Sequence, residues 1–249
     1  MNLDLTELLD DWPYESGQIN VRLIEGDDGL PRIQVRLDLG LLQMHAEGRP
    51  DGARPQGHGS LLEYHESRID QSDTDPEAEP VRLTSDECRA LREEAAQYYH
   101  RYVALLVLDD YEGVVRDTTR NLRVLDLCRE HAAEDSDKSA LEQFRAYIMM
   151  MRARAIASQA LGDNEPKAAM NAIEEGLDAL KSYFDAQGAP EMFDQSPEAE
   201  MLRGMREALV PKLPVSQKSE LRQRLAQALT QENYELAAIL RDELKSLPE

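Results

Sequence analysis

His58, Glu63 and His65 fall within one short stretch, and histidine with carboxylate is the side-chain set that holds a divalent transition metal. The two histidines are seven apart with flexible Gly59 between them, so the spacing alone does not aim them at one ion. The preceding segment, GRPDGARPQGHG at 48–59, is the densest Gly/Pro run and carries Arg49, Arg54 and His58. A glycine-rich loop with two arginines could cradle a phosphate. It lacks the G-x-x-x-x-G-K-[ST] and G-x-G-x-x-G spacings that point successive amides at one anion, and an ordered connector capping a sheet is the alternative. Tyr98, Tyr99 and Tyr102, with His100 and Arg101, read as helix core with a polar edge rather than a binding box. Cys88 and Cys128 lie far apart in sequence, with neither a C-x-x-C pair nor a histidine at ligand spacing, and are expected as buried thiols in a reducing compartment. His45 and His131 complete a scattered set, and no H-E-x-x-H or G-x-S-x-G pattern occurs. No catalytic residue, metal ligand or cofactor site follows, so the expectation is a non-enzymatic chain that needs no cofactor.

The elements that would position these residues form an α+β, mainly α chain. Apolar residues alternate in GQINVRLIEG (Ile19, Val21, Leu23), GDDG supplies a turn, and PRIQVRLDLG repeats the alternation with Ile33, Val35, Leu37 and Leu39. LLQMHAEG continues it with Leu42, Met44 and Ala46, as a third strand or a bulged extension. A small antiparallel sheet with one wet face is expected over 1–69, together with the Gly/Pro loop and a short helix at 60–69. The acidic, proline-containing 70–82 then reads as a linker.

From Thr84, a capping signal with Glu87, the pattern becomes helical. Ala95, Tyr98, Tyr99, Tyr102, Val103 and Leu106 mark the first helix. Val114, Val115, Thr118, Leu122, Leu125 and Leu127 mark the second, from about Tyr111 to Arg129. The stretch 133–139 breaks the pattern, a third helix buries Phe144, Ile148, Met151 and Ala155, and a fourth starts near Pro166. LDDYEGVVRDTTRNL at 108–122 and LGDNEPKAAMNAIEEGL at 161–177 look alike, and both resemble the tetratricopeptide pattern. That resemblance implies an antiparallel helical domain over 83–188, with Gly113 and Ala168 as the small residues where paired helices approach. A proline-containing connector at 189–215, with one short helix, is expected to separate this body from the tail.

The chain carries 49 acidic against 28 basic residues, a formal net charge of −21. Phosphate backbones and anionic lipid are repelled by such a body, so direct nucleic-acid binding by it is disfavoured. The N-terminal residues show neither the basic nor the apolar region of a secretory signal, and no apolar run reaches membrane-span length. A cytoplasmic location is expected. The last 34 residues differ: five Lys/Arg stand against six Asp/Glu, so the acidic excess belongs to the body.

Residues 216–248 read as two helices joined near Thr230–Asn233. Leu221, Leu225, Ala228 and Leu229 make the apolar stripe of the first; Tyr234, Ala237, Ala238, Leu240, Leu244 and Leu247 make that of the second. Alanines let the two backbones come close, and Tyr234 fills space near the turn. A hairpin below about 40 residues generally needs a further surface for stability, so the stripe is expected to meet another helical hairpin. Leu225, Ala228, Leu229, Glu232, Tyr234, Glu235, Ala237, Ala238, Leu240, Arg241, Asp242 and Leu244 resemble the UVR motif, the hairpin shared by the repair proteins UvrB and UvrC and found in ClpC and McsA. The resemblance implies association with a UVR-bearing protein, or with a second copy, through Leu225, Ala228, Leu229, Tyr234, Ala237, Ala238, Leu240, Arg241, Asp242 and Leu244. Excision-repair proteins or a Clp-type ATPase and its kinase system are the implied settings. The helicase, nuclease and zinc-binding parts of those proteins have no counterpart in this sequence. A competing expectation is a small-ligand or enzymatic site near the Gly/Pro loop, with the tail serving self-dimerisation alone.

Overall fold

The computed structural model describes residues 4–75, 77, 79–209, 225–227, 230 and 241. After a short helix α1 (Thr6–Asp10), three strands β1 (Asn20–Glu25), β2 (Pro31–Leu37) and β3 (Gly40–His45) form an antiparallel sheet in the order β1-β2-β3. The third strand is separate rather than a bulged extension. Pairing keeps the apolar residues on one face: Val21 opposes Val35 and Leu23 opposes Ile33, while Ile33 and Val35 oppose Met44 and Leu42 on the other side. At the β1–β2 turn Gly29 has φ +74°, a left-handed conformation that glycine adopts without a Cβ clash.

Burial on the sheet departs from simple alternation. Ile33 and Met44 are buried, whereas Ile19, Leu23 and Leu37 are about half exposed and Leu39 sits 91% exposed in the β2–β3 turn. The opposite face, expected to be wet, buries Arg32, Gln34 and Arg36. Its groups are satisfied across the strands: Arg22 Nε donates to Gln34 Oε1 at 2.7 Å, and Gln34 Nε2 donates to Gln43 Oε1 at 2.7 Å. Trp12 lies 4.1 Å from the Arg22 guanidinium, and its carbonyl accepts from Arg36 Nε at 2.7 Å. The N-terminal segment thus covers a face that composition alone assigns to solvent.

Helices α2 (Leu61–Thr74), α3 (Ser85–Val107), α4 (Tyr111–His131), α5 (Asp135–Ser139), α6 (Arg145–Gly162), α7 (Pro166–Ala186), α8 (Glu191–Gln195) and α9 (Pro197–Leu209) follow. Helix α2 runs into the stretch expected to be linker. Thr84 caps α3 through the reciprocal pair with Glu87, and Pro166 occupies the first turn of α7. Sheet and helices belong to one compact unit, Met1–Arg206; a second unit comprises Glu207–Glu249. The expected connector contributes α8 and the part of α9 up to Arg206 to the body, with Ala199 and Leu202 fully buried. Leu62, Leu83, Cys88, Leu91, Val124, Leu125, Cys128 and Ile148 form a core cluster between α2, α3, α4 and α6. Its end is tied by a bridge in which Leu83 donates to His131 O and accepts from Ala133 N.

The two similar segments occupy equivalent positions. Both helix pairs turn through three residues whose middle member is left-handed, Asp109 at φ 58° and Asn164 at φ 61°. The hydrogen bonds also correspond: Asp110 N donates to Leu105 O at 3.0 Å, and Glu165 N donates to Ala160 O at 2.7 Å. Asp and Asn tolerate this conformation better than other non-glycine residues. Buried positions follow in step after each turn, Val114, Thr118 and Leu125 in α4 beside Ala169, Ile173 and Leu180 in α7.

Two expectations are corrected here. Gly113 is buried, and an added Cβ would meet Leu105 Cδ1 at 2.9 Å, but its partner Ala168 is exposed. The close approach in the second pair falls at Gly176, where a Cβ would lie 2.5 Å from Ala153 Cβ. A methyl on a short side chain cannot swing away, so the helices themselves would have to separate. Phe144 ends a 3-10 turn (Glu142–Phe144) preceding α6 and is 50% exposed rather than buried. Replacing Gly176 with valine is expected to lower stability by about 2 kcal/mol through overpacking at this contact, read as a lowered urea midpoint with an unchanged denaturant slope.

Candidate functional site

Arg101 on α3 is almost wholly buried and uses all of its guanidinium nitrogens. Nε and Nη2 donate to the two carboxylate oxygens of Asp117 on α4 at 2.7 and 2.8 Å, and Nη1 donates to the carbonyls of Gly48 at 2.7 Å and His45 at 3.1 Å. A planar fork can satisfy a carboxylate and a loop at once, which a point-charge ammonium cannot do. One turn along α4 from the hairpin end, Arg116 donates from Nη1 to both oxygens of Glu47 at 3.0 and 2.9 Å and from Nη2 to the Ala46 carbonyl at 3.1 Å. The end of β3 and the start of the Gly/Pro loop are therefore held against the helices by backbone-directed arginines.

Between this loop, α2, α3 and α4 lies a cavity of about 440 Å³, lined by Gly48, Ser60, Tyr98, Arg116, Arg120 and Arg123 among others. Buried Arg120 donates from Nη1 to Asn121 Oδ1 at 3.0 Å and from Nη2 to Glu94. Fully buried Glu94 also accepts from Leu61 N at 2.8 Å. The Tyr98 ring lies 4.8 Å from the Arg101 guanidinium and 4.1 Å from that of Arg120. At the outer edge Arg123 pairs with Glu66. Burial, reinforced by the neighbouring Arg49 charge, pulls the Arg120 pKa down to about 9.

The loop residues singled out from sequence do not converge. Arg49 turns inward toward Glu94, Arg54 is exposed, and the His58 ring is tilted against Tyr64 with centroids 5.5 Å apart. The His65 ring centroid lies 5.0 Å from that of Tyr64, and His65 is buried, with Nδ1 3.0 Å from Arg68 Nη1. Glu63 instead accepts from Gly59 N at 2.9 Å while Ser60 caps α2, so the three candidate ligands point to different tasks. Among the described residues no group of three His, Cys, Asp or Glu side chains is placed to hold a metal ion. The residues that build the cavity were missed, yet they carry a signal: Arg116, Arg120 and Arg123 follow the i, i+4, i+7 spacing of one helix face.

Cys88 and Cys128, distant in sequence, are both buried in the same core cluster. Burial pushes the Cys128 thiol up to about 12 and raises Cys88 as well, so neither is a ready nucleophile.

A second concavity, about 480 Å³, opens between α3, α4 and α6 and is lined by Ala95, Tyr99, Tyr102, Leu125, Phe144 and Tyr147 among others. The tyrosine group therefore divides: Tyr98 and Tyr102 are buried, while Tyr99 is 42% exposed and stands edge-on to Tyr102 at 5.5 Å. Arg101 belongs to the buried network and His100 to the surface.

Within the second compact unit, Leu225–Gln227, Thr230 and Arg241 are helical, Leu225 half-buried and Arg241 exposed. Thr230 Oγ1 donates to the Ala226 carbonyl at 2.9 Å, one turn back. Ala228, Leu229, Tyr234, Ala237, Ala238, Leu240, Asp242 and Leu244 lie outside the described residues. A family model described as UvrB/uvrC motif matches residues 216–247, the stretch that carries the sequence resemblance. No curated protein and no solved structure matches the chain. The match is confined to the tail and names the motif that the tail resembles. Among the described residues no helix is long and apolar enough to cross a membrane.

Two outcomes follow from this geometry. Asp117→Asn removes the counter-charge from a buried guanidinium and is expected to cost about 3 kcal/mol or more in urea unfolding. His65 has its pKa lowered below the ordinary 6.5, first by burial and with Arg68 adding to it, against the opposing charge of Glu87. Because the folded state resists protonating it, its contribution is complete above pH 6.5 and is lost as pH falls through the lower folded value. The difference in Tm between the wild type and His65→Gln is therefore expected to shrink from pH 8 to pH 5.

Proposed function

We propose that this protein is a non-enzymatic adaptor that associates, through residues 216–248, with a partner bearing a similar helical hairpin. The family-model match over residues 216–247 carries this reading. Charge supports it: the tail is near neutral beside a body that holds almost all of the −21 net charge, so two hairpins can meet without the repulsion two bodies would suffer. Leu225, Ala228, Leu229, Tyr234, Ala237, Ala238, Leu240 and Leu244 supply the apolar seam in this reading, with Arg241 and Asp242 at its polar edge. The partner classes are an excision-repair protein of the UvrB/UvrC type or a Clp-type ATPase with its regulators, in the cytoplasm. Matching turns in the two helix pairs support a tetratricopeptide-like scaffold as the support for the tail.

Light scattering on the full chain and on a chain ending at Pro214, with retention of immobilised UvrB and ClpC hairpins, tests the proposal. The full chain is expected to retain at least one hairpin, the shortened chain neither, and Ala237→Glu to reduce retention at least tenfold by placing a charge in the seam. Retention of neither hairpin by the full chain, whether it runs as a monomer or as a dimer, would overturn the adaptor reading.

A further inference from the structure

The cavity beneath the Gly/Pro loop contains an imbalance of buried charge. Three guanidiniums, those of Arg49, Arg101 and Arg120, have side chains no more than 14% exposed, and two carboxylates, Glu94 and Asp117, share that environment at 1% exposure or less. Asp117 is bound by Arg101 through both oxygens, and its Oδ1 also accepts from Arg116 Nε at 3.0 Å. Glu94 is left to serve Arg120, Arg49 and the Leu61 amide together. Arg120 Nε is buried and has no hydrogen-bond partner. Arg49 Nε lies 3.1 Å from Glu94 Oε1 but is not aligned to donate to it, and its nearest rim carboxylate, Asp51, is 3.4 Å from Nη2 and 38% exposed.

An arginine does not readily discard its proton, so a surplus buried guanidinium is a standing demand for an anion. Arg116 and Arg123 bring two further cations to the cavity wall, each also paired with a carboxylate outside it, Glu47 and Glu66. Glu63 at the mouth is turned to the Gly59 amide. The lowered pKa of Arg120, caused by burial and then by Arg49, agrees with a site crowded by positive charge. The strongly acidic surface does not cancel this field, because exposed charges beyond about 8 Å are screened at physiological ionic strength.

We infer that this cavity is a binding site for a small phosphomonoester, its phosphate received by the guanidiniums of Arg120, Arg123 and Arg116 that line it, and its organic part lying against Tyr98. A dianion with several acceptor oxygens suits guanidiniums arriving from successive turns of one helix. At about 440 Å³ the space exceeds what phosphate alone fills and lies in the range of small-ligand pockets. The inference stands apart from the association assigned to the tail, since the site is built wholly within Met1–Arg206.

Calorimetric titration of the full chain at low ionic strength with inorganic phosphate, ribose 5-phosphate and acetate decides it. Saturable one-to-one binding is expected for both phosphates, tighter for ribose 5-phosphate, with acetate at least tenfold weaker. Arg120→Gln leaves two buried cations facing two buried anions, so it is expected to fold while losing at least tenfold in phosphate affinity. Arg123→Gln alters a side chain that is 55% exposed and is expected to weaken binding several-fold. If Arg120→Gln fails to fold by circular dichroism, the Arg123→Gln titration decides. Absence of saturable binding by either phosphate, equal binding of acetate, or unchanged affinity in Arg123→Gln would overturn the proposal.

Discussion

The buried pair between Arg101 and Asp117 is the contact on which the arrangement of the body depends. It joins α3 to α4, and the nitrogen left over reaches the carbonyls of His45 and Gly48, where the sheet gives way to the loop. Two charges removed from water are costly unless every polar atom is matched, and this pair meets that condition by recruiting the backbone oxygens of His45 and Gly48 for the remaining guanidinium nitrogen. The consequence is geometric. Holding the loop against the helices creates the roof of a cavity, and the same α4 face that supplies Asp117 also presents Arg116, Arg120 and Arg123 beneath it.

The helical body repeats one structural idea twice. Each pair turns at a left-handed Asp or Asn, and each is followed by buried residues at equivalent positions. The details differ because the two pairs solve close packing differently. The first places glycine near its turn, at Gly113; the second places it farther along, at Gly176 against Ala153. Between them, the 3-10 turn ending at Phe144 leaves that ring on the rim of a concave aromatic surface instead of sealing the core. Helix α8 and the part of α9 up to Arg206 then extend the body beyond α7, with Leu202 reaching toward Gly176.

Charge divides the chain more sharply than secondary structure does. Almost all of the net −21 resides ahead of Ser216, and the matched motif lies in the near-neutral remainder. An acidic body discourages contact with nucleic acid and with its own copies, while a near-neutral tail has no such barrier. Within the acidic body, the arginine-lined cavity is a local inversion of sign, and that contrast is what gives it chemical meaning.

Local periodicity and punctuation were legible in the residues themselves: the strand alternation through Ile33 and Met44, the Thr84 cap, Pro166 at a helix start and the terminal motif. These depend on neighbours within a few positions, and so a linear reading reaches them. What the linear reading misplaced depends on partners far away in sequence. Trp12 covers a strand face that alternation assigns to water, Ala168 stays exposed while Gly176 makes the close contact, and Cys88 joins Cys128 in one core cluster only after α3 and α4 pack. The arginine spacing on α4 was visible in principle, but spacing alone does not tell a solvated charged face from one turned inward. Only the tertiary structure decided that, because burial of a charge is set by whatever covers it, and the cover here is a loop more than 50 residues upstream of the helix it closes over.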